Sequence, residues 1–514
     1  MSLLLTHQNE FGSTDIGSVE VKTLSIQNYL GVKKDIRDIV GFLRISESIE
    51  MVGMILELGI KDESNFFELF EITGHEIIEV ELVQKLFQDN KEIAKVLTAK
   101  VEFHVTDYPE YAKLDDNQVQ TYTIVATTRA LWLGPLKKIS RAVNSDITDV
   151  IRQILVRDLQ YPIKDISRSG QPKTRMNGIL NWDTPLNHIS RLKEYLADSL
   201  HTPYFIHEIL SGGIVMHPLS SISEGMPYRT YWDQRKSLSE DPGSWETQLW
   251  NLSRIASLSS EMGLAQVVNA TAGMYASEWH MIDPMQKTRY RKVFNRDRDI
   301  RVDQTFSGKR MRKPSKIGAE GRGMLPLTEM PESYMRYMFQ NEFQDGGGAL
   351  KREGINQIIS ANGPRLQSHY AALGTVSHEI DVPGDLNLNP GRVINLRLPK
   401  STDPENLKSY AGTPVWDNDD HSLGGKYIVW GVVHNIIGVV ENSSDPLELN
   451  RLQVRCLGYH NSKLSELPSD RLPWAQVMLP LTDSGIGGIG SSISITEGTW
   501  VVGFWQDRAM TMPI

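Results

Sequence analysis

The chain has 514 residues, enough for three or four domains of roughly 100–200 residues, each with a sizeable core. Hydrophobic residues at 40% and charged residues at 23% exclude a wholly disordered chain, and a formal charge of −9 argues against a general coat for nucleic acid. The single cysteine, Cys456, excludes an intrachain disulfide framework, a multi-cysteine zinc site and an all-protein iron–sulfur site, and fits a reducing compartment.

Residues 1–18 read as a polar lead-in without the basic and long apolar regions of a secretory signal. From 19 to about 133 short β-type runs dominate, such as 77–82 and 121–125, with a helix expected near 89–94. Residues 49–58 fit strand or helix. The region reads as a β-barrel or sandwich. Ile147, Val150, Ile151, Ile154, Leu155 and Leu159 then fall at helical spacing. Thr184 as N-cap and Pro185 at N1 open another helix, with Ile189, Leu192, Leu196 and Leu200 as its apolar stripe and Pro203 as its end. Residues 204–210 and 214–218 flank Ser211-Gly212-Gly213 as a hairpin. Residues 273–293 turn β-like, 309–323 form a loop, and 350–372 read as helix interrupted at Gly363-Pro364. Strands follow at 377–382, 393–398 and 426–433, with turns at Pro383-Gly384 and Pro390-Gly391. The longest apolar run, 427–440, is too short to span a membrane and contains His434 and Asn435. Residues 437–514, dense in short strands and glycine turns, predict a small barrel.

Motifs of catalysis are missing: there is no H-E-x-x-H, G-x-S-x-G, Walker loop or kinase set. Gly485-Ile486-Gly487-Gly488-Ile489-Gly490 matches G-x-G-x-x-G, but strand-type residues follow it where a dinucleotide site needs a helix. A glycine loop between barrel strands accounts for it better. The thirteen histidines lack metal-ligand spacing, and His75, His104, His201 and His207 read as core-edge or surface residues. No catalytic, cofactor or metal residue is therefore expected. Two charge runs stand out. Residues 287–316 carry twelve Lys/Arg against three Asp, net +9; residues 61–92 carry nine acids against three Lys, net −6. Such runs are usually solvated faces; the sharper reading of the basic one is a docking surface for an acidic partner or a neighbouring subunit. Residues 427–514 have net charge −3, without the basic groove of a single-strand binder.

The C-terminal order of motifs resembles a known family. Gly438-Val439-Val440-Glu441 leads to Asp445-Pro446-Leu447-Glu448-Leu449-Asn450-Arg451-Leu452-Gln453-Val454-Arg455 and Gly458-Tyr459-His460. Then come Leu472-Pro473-Trp474-Ala475-Gln476-Val477, the glycine loop, and Glu497-Gly498-Thr499-Trp500-Val501. This resembles the oligosaccharide/oligonucleotide-binding (OB) barrel at the base of contractile-tail spikes, shared by T-even phage spikes and the valine–glycine-repeat spikes of type VI secretion. Asn450 departs from the family's usual glycine, and Asn tolerates a left-handed turn. Residues 19–436 resemble, more loosely, the T-even tail hub. The resemblance rests on Glu47-Ser48-Ile49, Gly59-Ile60-Lys61-Asp62, Ile72-Thr73-Gly74-His75-Glu76, Pro383-Gly384-Asp385-Leu386-Asn387-Leu388-Asn389-Pro390-Gly391 and Gly424-Gly425-Lys426-Tyr427-Ile428-Val429 with Val433-His434.

The resemblance implies hub and spike base fused in one chain: a β-rich multidomain α+β protein with two hub β-barrels, α+β insertions and a C-terminal OB-fold barrel. The implied division is an extension at 1–18, hub barrel 1 at 19–134, an α+β module at 135–262, hub barrel 2 at 263–300 and 373–436, an insertion with basic loop and helix at 301–372, and the OB barrel at 437–514. It implies a structural, non-enzymatic baseplate hub in the virion tail, assembled in the host cytoplasm as a homotrimer with a central channel. Its implied partners are the tail tube or a tube adaptor, a spike tip, wedge components and, in the channel, a tape-measure protein or DNA. A type VI-like secretion spike and a spike-associated cell-wall hydrolase component are the rival readings. The OB pattern is expected to continue past residue 514 or to be closed by a neighbouring chain.

Overall fold

The computed structural model describes residues 19–37, 39–62, 65–88, 91–109, 111–113, 120–170, 175–194, 196–233, 253–255, 257–262, 266–283, 287–301, 304–306, 316–317, 325–339, 355–398, 423–436, 438–442, 452–456, 472, 474–475 and 500–501. Eight strands open the chain: β1 (Val19–Gln27), β2 (Lys33–Asp35), β3 (Val40–Ser48), β4 (Ile55–Asp62), β5 (Ile77–Gln88), β6 (Lys91–Asp107), β7 (Tyr111–Lys113) and β8 (Gln120–Thr127). Their apolar residues recur every second position, so one face of each strand becomes apolar. In β4 and β8 buried and half-buried residues alternate without a break. Leu56, Leu58 and Ile60 meet Ile124, Ala126, Ile78, Phe103 and Ile45 in one core. Each of the Leu, Ile and Phe side chains among them stabilises the fold by roughly 1.5–3 kcal/mol. The strands pair in the order β2-β1-β5-β6-β8-β4-β3, with β7 beside β8 and a ninth strand, Gly431–Ile436, on β3. All these pairings are antiparallel.

Two expectations resolve here. Residues 49–58 are a turn followed by β4, not a helix. Of the helix expected near 89–94, residues 91–94 are instead the start of β6, because β5 and β6 register from Ile77 with His104 out to Gln88 with Lys91, and 89–90 lie outside the described residues. That long ladder outweighs the weak helical preference of a short Lys/Glu/Ala stretch.

The helix expected over 147–159 forms as Ile147–Gln153, continued by a π-helical turn, Ile154–Asp158. Its six apolar residues are all buried. Thr184 caps the next helix, Pro185–Lys193, its hydroxyl accepting from Asn187 N at 3.4 Å. That helix ends at Lys193, ten residues before Pro203. The Asp198 carboxylate accepts from Leu200 N at 3.1 Å and Thr202 N at 2.7 Å, and it also takes the Ser220 hydroxyl. This local turn competes successfully with helical hydrogen bonds. Asp198→Ala leaves Thr202 N buried without its acceptor and should cost about 1–3 kcal/mol, read as a lowered denaturant midpoint at unchanged m-value. The expected hairpin forms from Tyr204–Glu208 and Ile214–Pro218.

In the stretch expected to be β-like, strands Ala276–Asp283 and Thr288–Asn295 pair as a hairpin, and Met335–Phe339 adds to it in parallel. Within the expected 309–323 loop, Lys316–Ile317 pairs with Leu325–Pro326. The helix Ile355–Leu373 runs through Gly363-Pro364 rather than breaking there. A Cβ on Gly363 would sit 2.8 Å from the buried Trp279 ring, so glycine lets helix and sheet approach. Buried Asn362, Leu366, Ser368 and His369 fix the helix on both sides of the proline.

A further core gathers Tyr231, Ile255, Leu388, Ile394, Leu396 and Val429. Around it Val393–Arg397 pairs with Thr230–Trp232 and Gly425–Ile428, and Ser257–Met262 pairs with Val376–Asp381. These ladders run across the boundary drawn at residue 262. The strand expected at 426–433 is two strands in two sheets, because the chain crosses over at Val429 and Trp430. There Val429 O accepts from Gly391 N at 2.8 Å and Trp430 O from Ile49 N at 2.8 Å. Beyond it, Gly438–Asn442, Leu452–Cys456, Trp474–Ala475 and Trp500–Val501 form one antiparallel sheet.

Candidate assembly site

The hub motifs converge where the sheets meet. Their centre is the loop from Pro383 to Gly391. A turn closed by Leu388 N on Asp385 O at 3.0 Å sends Leu386 into the core of the first sheet and Leu388 into the core around Tyr231. One short loop thus joins two hydrophobic cores. Its polar residues hold it there. The Asp385 carboxylate, fully buried, accepts from Tyr228 OH at 2.8 Å and Asn387 N at 2.9 Å, and pairs with Arg229 at 3.2 Å. Burial, reinforced by the Asp385 carboxylate, pushes the Tyr228 phenol up to about 12, so it stays a donor. Arg392 reaches Asn387 Oδ1 at 2.7 Å and lies over the Tyr228 ring at 4.7 Å.

Gln84 of β5 clamps the loop from the other side. Its amide donates to Gly384 O at 2.6 Å and accepts from Leu386 N at 2.7 Å. The hairpin 204–218 supplies a third wall. Ser211 Oγ meets Asn389 Nδ2 at 3.0 Å, and His207 Nε2 donates to Pro390 O at 3.0 Å. That bond leaves His207 Nδ1 as a lone pair without a partner. His207 is fully buried, deeper than the core-edge position its sequence context implies, with His217 beside it at 5.0 Å between ring centroids. Burial drives His207 down to about 3 and His217 to about 4. Of the other three histidines, His75 is exposed, His104 stacks on Trp132 at 4.4 Å, and His201 meets Asn362 at 2.6 Å.

Of the remaining motifs, Glu47 serves a junction between sheets, whereas Gly59, Asp62 and Glu76 hold the first sheet and its own turns. Glu47 accepts from Leu210 N at 3.0 Å and contacts His434 at 3.0 Å. Nearby, Glu208 accepts from Thr128 Oγ1 at 2.6 Å and Tyr161 OH at 3.1 Å, and burial raises its pKa. Gly59 leaves room for the Phe42 ring, which a Cβ would meet at 2.2 Å. Asp62 accepts from Phe67 N at 3.0 Å, and Glu76 closes its turn on Gly74 N at 2.9 Å and Tyr108 OH at 2.9 Å.

The charge runs are partly absorbed by the fold. Glu79 bridges Lys33 and Lys100, and Glu81 meets Lys22 at 2.9 Å. In the basic run Arg291 grips Glu278 at 2.6 and 2.7 Å, Arg296 is buried on Ser368 O at 2.9 Å, and Arg298 pairs with Asp299 at 2.9 Å. Lys309, Arg310, Arg312 and Lys313 lie outside the described residues, as do Asn450 and the glycine loop 485–490. Among the described residues no group of three or more His, Cys, Asp or Glu is placed to hold a metal ion.

Residues 459–513 match the family described as the Gp5 N-terminal OB domain. This stretch is similar to a Gp5-type OB domain. Over 81 residues the chain is 38% identical to the pre-baseplate central spike protein Gp5 of Enterobacteria phage T4, covering 15% of this chain and 14% of that one. Over 76 residues it is 41% identical to protein Gp5 of Vibrio phage KVP40, covering 14% of this chain and 18% of that one. The chain therefore spans less than a fifth of the length of these relatives. Among solved structures it is similar to a tail protein of Neisseria meningitidis MC58, at 8% identity and a TM-score of 0.43 over 86% of this chain and 97% of that one. It is also similar to a 43 kDa tail protein of prophage MuSo2 from Shewanella oneidensis, at 9% identity and a TM-score of 0.41 over 86% and 98%.

Proposed function

We propose that this chain is a structural baseplate hub of a contractile phage tail that carries its own spike base. The carrying observation is the Gp5-type OB domain at 459–513, joined in one chain to an extended antiparallel sheet through the strands between 425 and 442. The T4 relative's description as a pre-baseplate central spike protein supports a place in the virion tail baseplate. The polar residues of the junction loop are spent on fixing sheets to one another, which suits an assembly part rather than an enzyme.

Three copies form the assembly. The first sheet is one hub barrel per chain, and the strands around the Tyr231 core are the second. Three chains then offer six similar modules to a sixfold tail tube, while the OB domains keep threefold symmetry for the spike. A central channel runs through the trimer, with the tube or its adaptor, a spike tip and wedge proteins as neighbours. Native mass spectrometry of the purified protein tests this. Three times the 58.1 kDa chain mass is the expected result. A stable monomer at micromolar concentration, with no trimer in assembled tails, overturns it.

A further inference from the structure

We propose that the edge of β3 is a strand-acceptor site, that its ligand is the segment 430–436, and that this joint holds the C-terminal sheet to the first sheet independently of chain connectivity. Within residues 425–442 three consecutive strands enter three different sheets. Gly425–Ile428 pairs with Val393–Arg397, Gly431–Ile436 with β3, and Gly438–Asn442 with Leu452–Cys456 and Trp500–Val501. One residue, Ile437, separates the second strand from the third. The position of the C-terminal sheet is therefore set where Gly431–Ile436 is seated.

The seat has the chemistry of a peptide-binding groove. Six residues register, from Gly431 with Ser48 to Ile436 with Leu43, and Ile49 N adds a bond to Trp430 O at 2.8 Å. In strand addition the main chain supplies affinity and alternate side chains supply specificity. Here His434 and Ile436 point inward, while Val433 and Asn435 point outward. Ile436 completes the core of the first sheet. His434 Nε2 meets Glu47 Oε1 at 3.0 Å, with the Glu47 side chain fully buried. The other Glu47 oxygen is held by Leu210 N at 3.0 Å, so the carboxylate is aimed before the strand arrives. Outside, Arg44 Nε donates to Asn435 Oδ1 at 2.9 Å. At Gly431 a Cβ would approach Glu47 O to 3.1 Å, which favours glycine at the entry position. The ligand class is an extended peptide reading Gly-x-x-His-x-Ile. A strand without the imidazole leaves Glu47 buried with one partner fewer, and such a group is costly.

The experiment uses the full chain with a specific protease site inserted between residues 399 and 422. After cleavage the two fragments should co-elute at about 1 μM, a concentration that requires a dissociation constant below it. His434→Ala should raise that constant by at least about tenfold, Glu47→Gln by less, and the outward Val433→Ala should leave it unchanged. If His434→Ala prevents folding before cleavage, Glu47→Gln carries the measurement. Fragments that separate on cleavage of the parent overturn the proposal. So does a constant that moves less than twofold in both inward variants, since other contacts then hold the joint.

Discussion

Lowering the pH from 7 to 5 should destabilise this fold by about 5 kcal/mol. Three histidines are buried against strong opposition to their charged form. Burial drives His207 to about 3, His217 to about 4 and His369 to about 3, with Arg296 and Arg365 adding repulsion at His369. His207 Nδ1 and His217 Nε2 have no acceptor or donor facing them, and Lys193 lies close enough to oppose a charge on His207. In the unfolded chain each imidazole titrates near its ordinary value of about 6.5. Below that value the unfolded state binds protons that the folded state refuses. Stability is thus full above about pH 6.5 and falls until the folded values near 3 to 4 are passed, by about 2 kcal/mol per histidine between pH 7 and 5. Glu208, raised by burial, works in the opposite direction. The lowered carboxylates Glu79, Asp183 and Glu278 lose their contributions only in the more acidic carboxylate range. Denaturant titrations at pH 7, 6 and 5 read the slope directly. A midpoint that stays flat across that range would show that these histidines are not held neutral. His369→Gln, if folded, should remove about a third of the slope.

Much of the first sheet was legible because the stretches 77–82 in β5 and 121–125 in β8 mix alternation with β-branched residues, a local signal, whereas 49–58 fitted strand or helix until its partners were known. The errors arose where distant partners decide. Residues 89–94 read as helix because nothing nearby reveals the long ladder between β5 and β6. Helix 355–373 survives its proline because Trp279, eighty-odd residues upstream, fits against Gly363. The assembly site was half visible. The resemblance flagged the 383–391 loop and Glu47, but not the reason for either. Gln84 and Glu47 occupy buried positions in strands. A polar residue in the apolar phase of a strand marks a buried partner that periodicity alone cannot name. His434, 387 residues after Glu47, supplies one such partner.

Gly391→Ala should destabilise the protein by about 2–4 kcal/mol, as two independent effects add. Gly391 has a φ of 81°, in the left-handed region where a Cβ costs roughly 1 kcal/mol or more. The residue cannot relax, because its N–H is bonded to Val429 O at 2.8 Å and the next carbonyl, Arg392 O, accepts from Val429 N at 2.8 Å. Its neighbour Pro390 is held through its carbonyl by His207. The added Cβ would fall 2.6 Å from His217 Cε1, 2.7 Å from His217 Nε2 and 3.2 Å from His207 Cε1. Overpacking of this kind costs about 1–3 kcal/mol. The two effects separate in a double-mutant cycle. His217→Ala opens the space, so Gly391→Ala in that background should cost only the backbone share, and the coupling should be about 1–2 kcal/mol. Denaturant midpoints of the four proteins at pH 7 give the cycle. A single Gly391→Ala change within 0.5 kcal/mol of the parent would mean that the loop relaxes freely, and that it is not the rigid joint between the two cores that its hydrogen bonds describe.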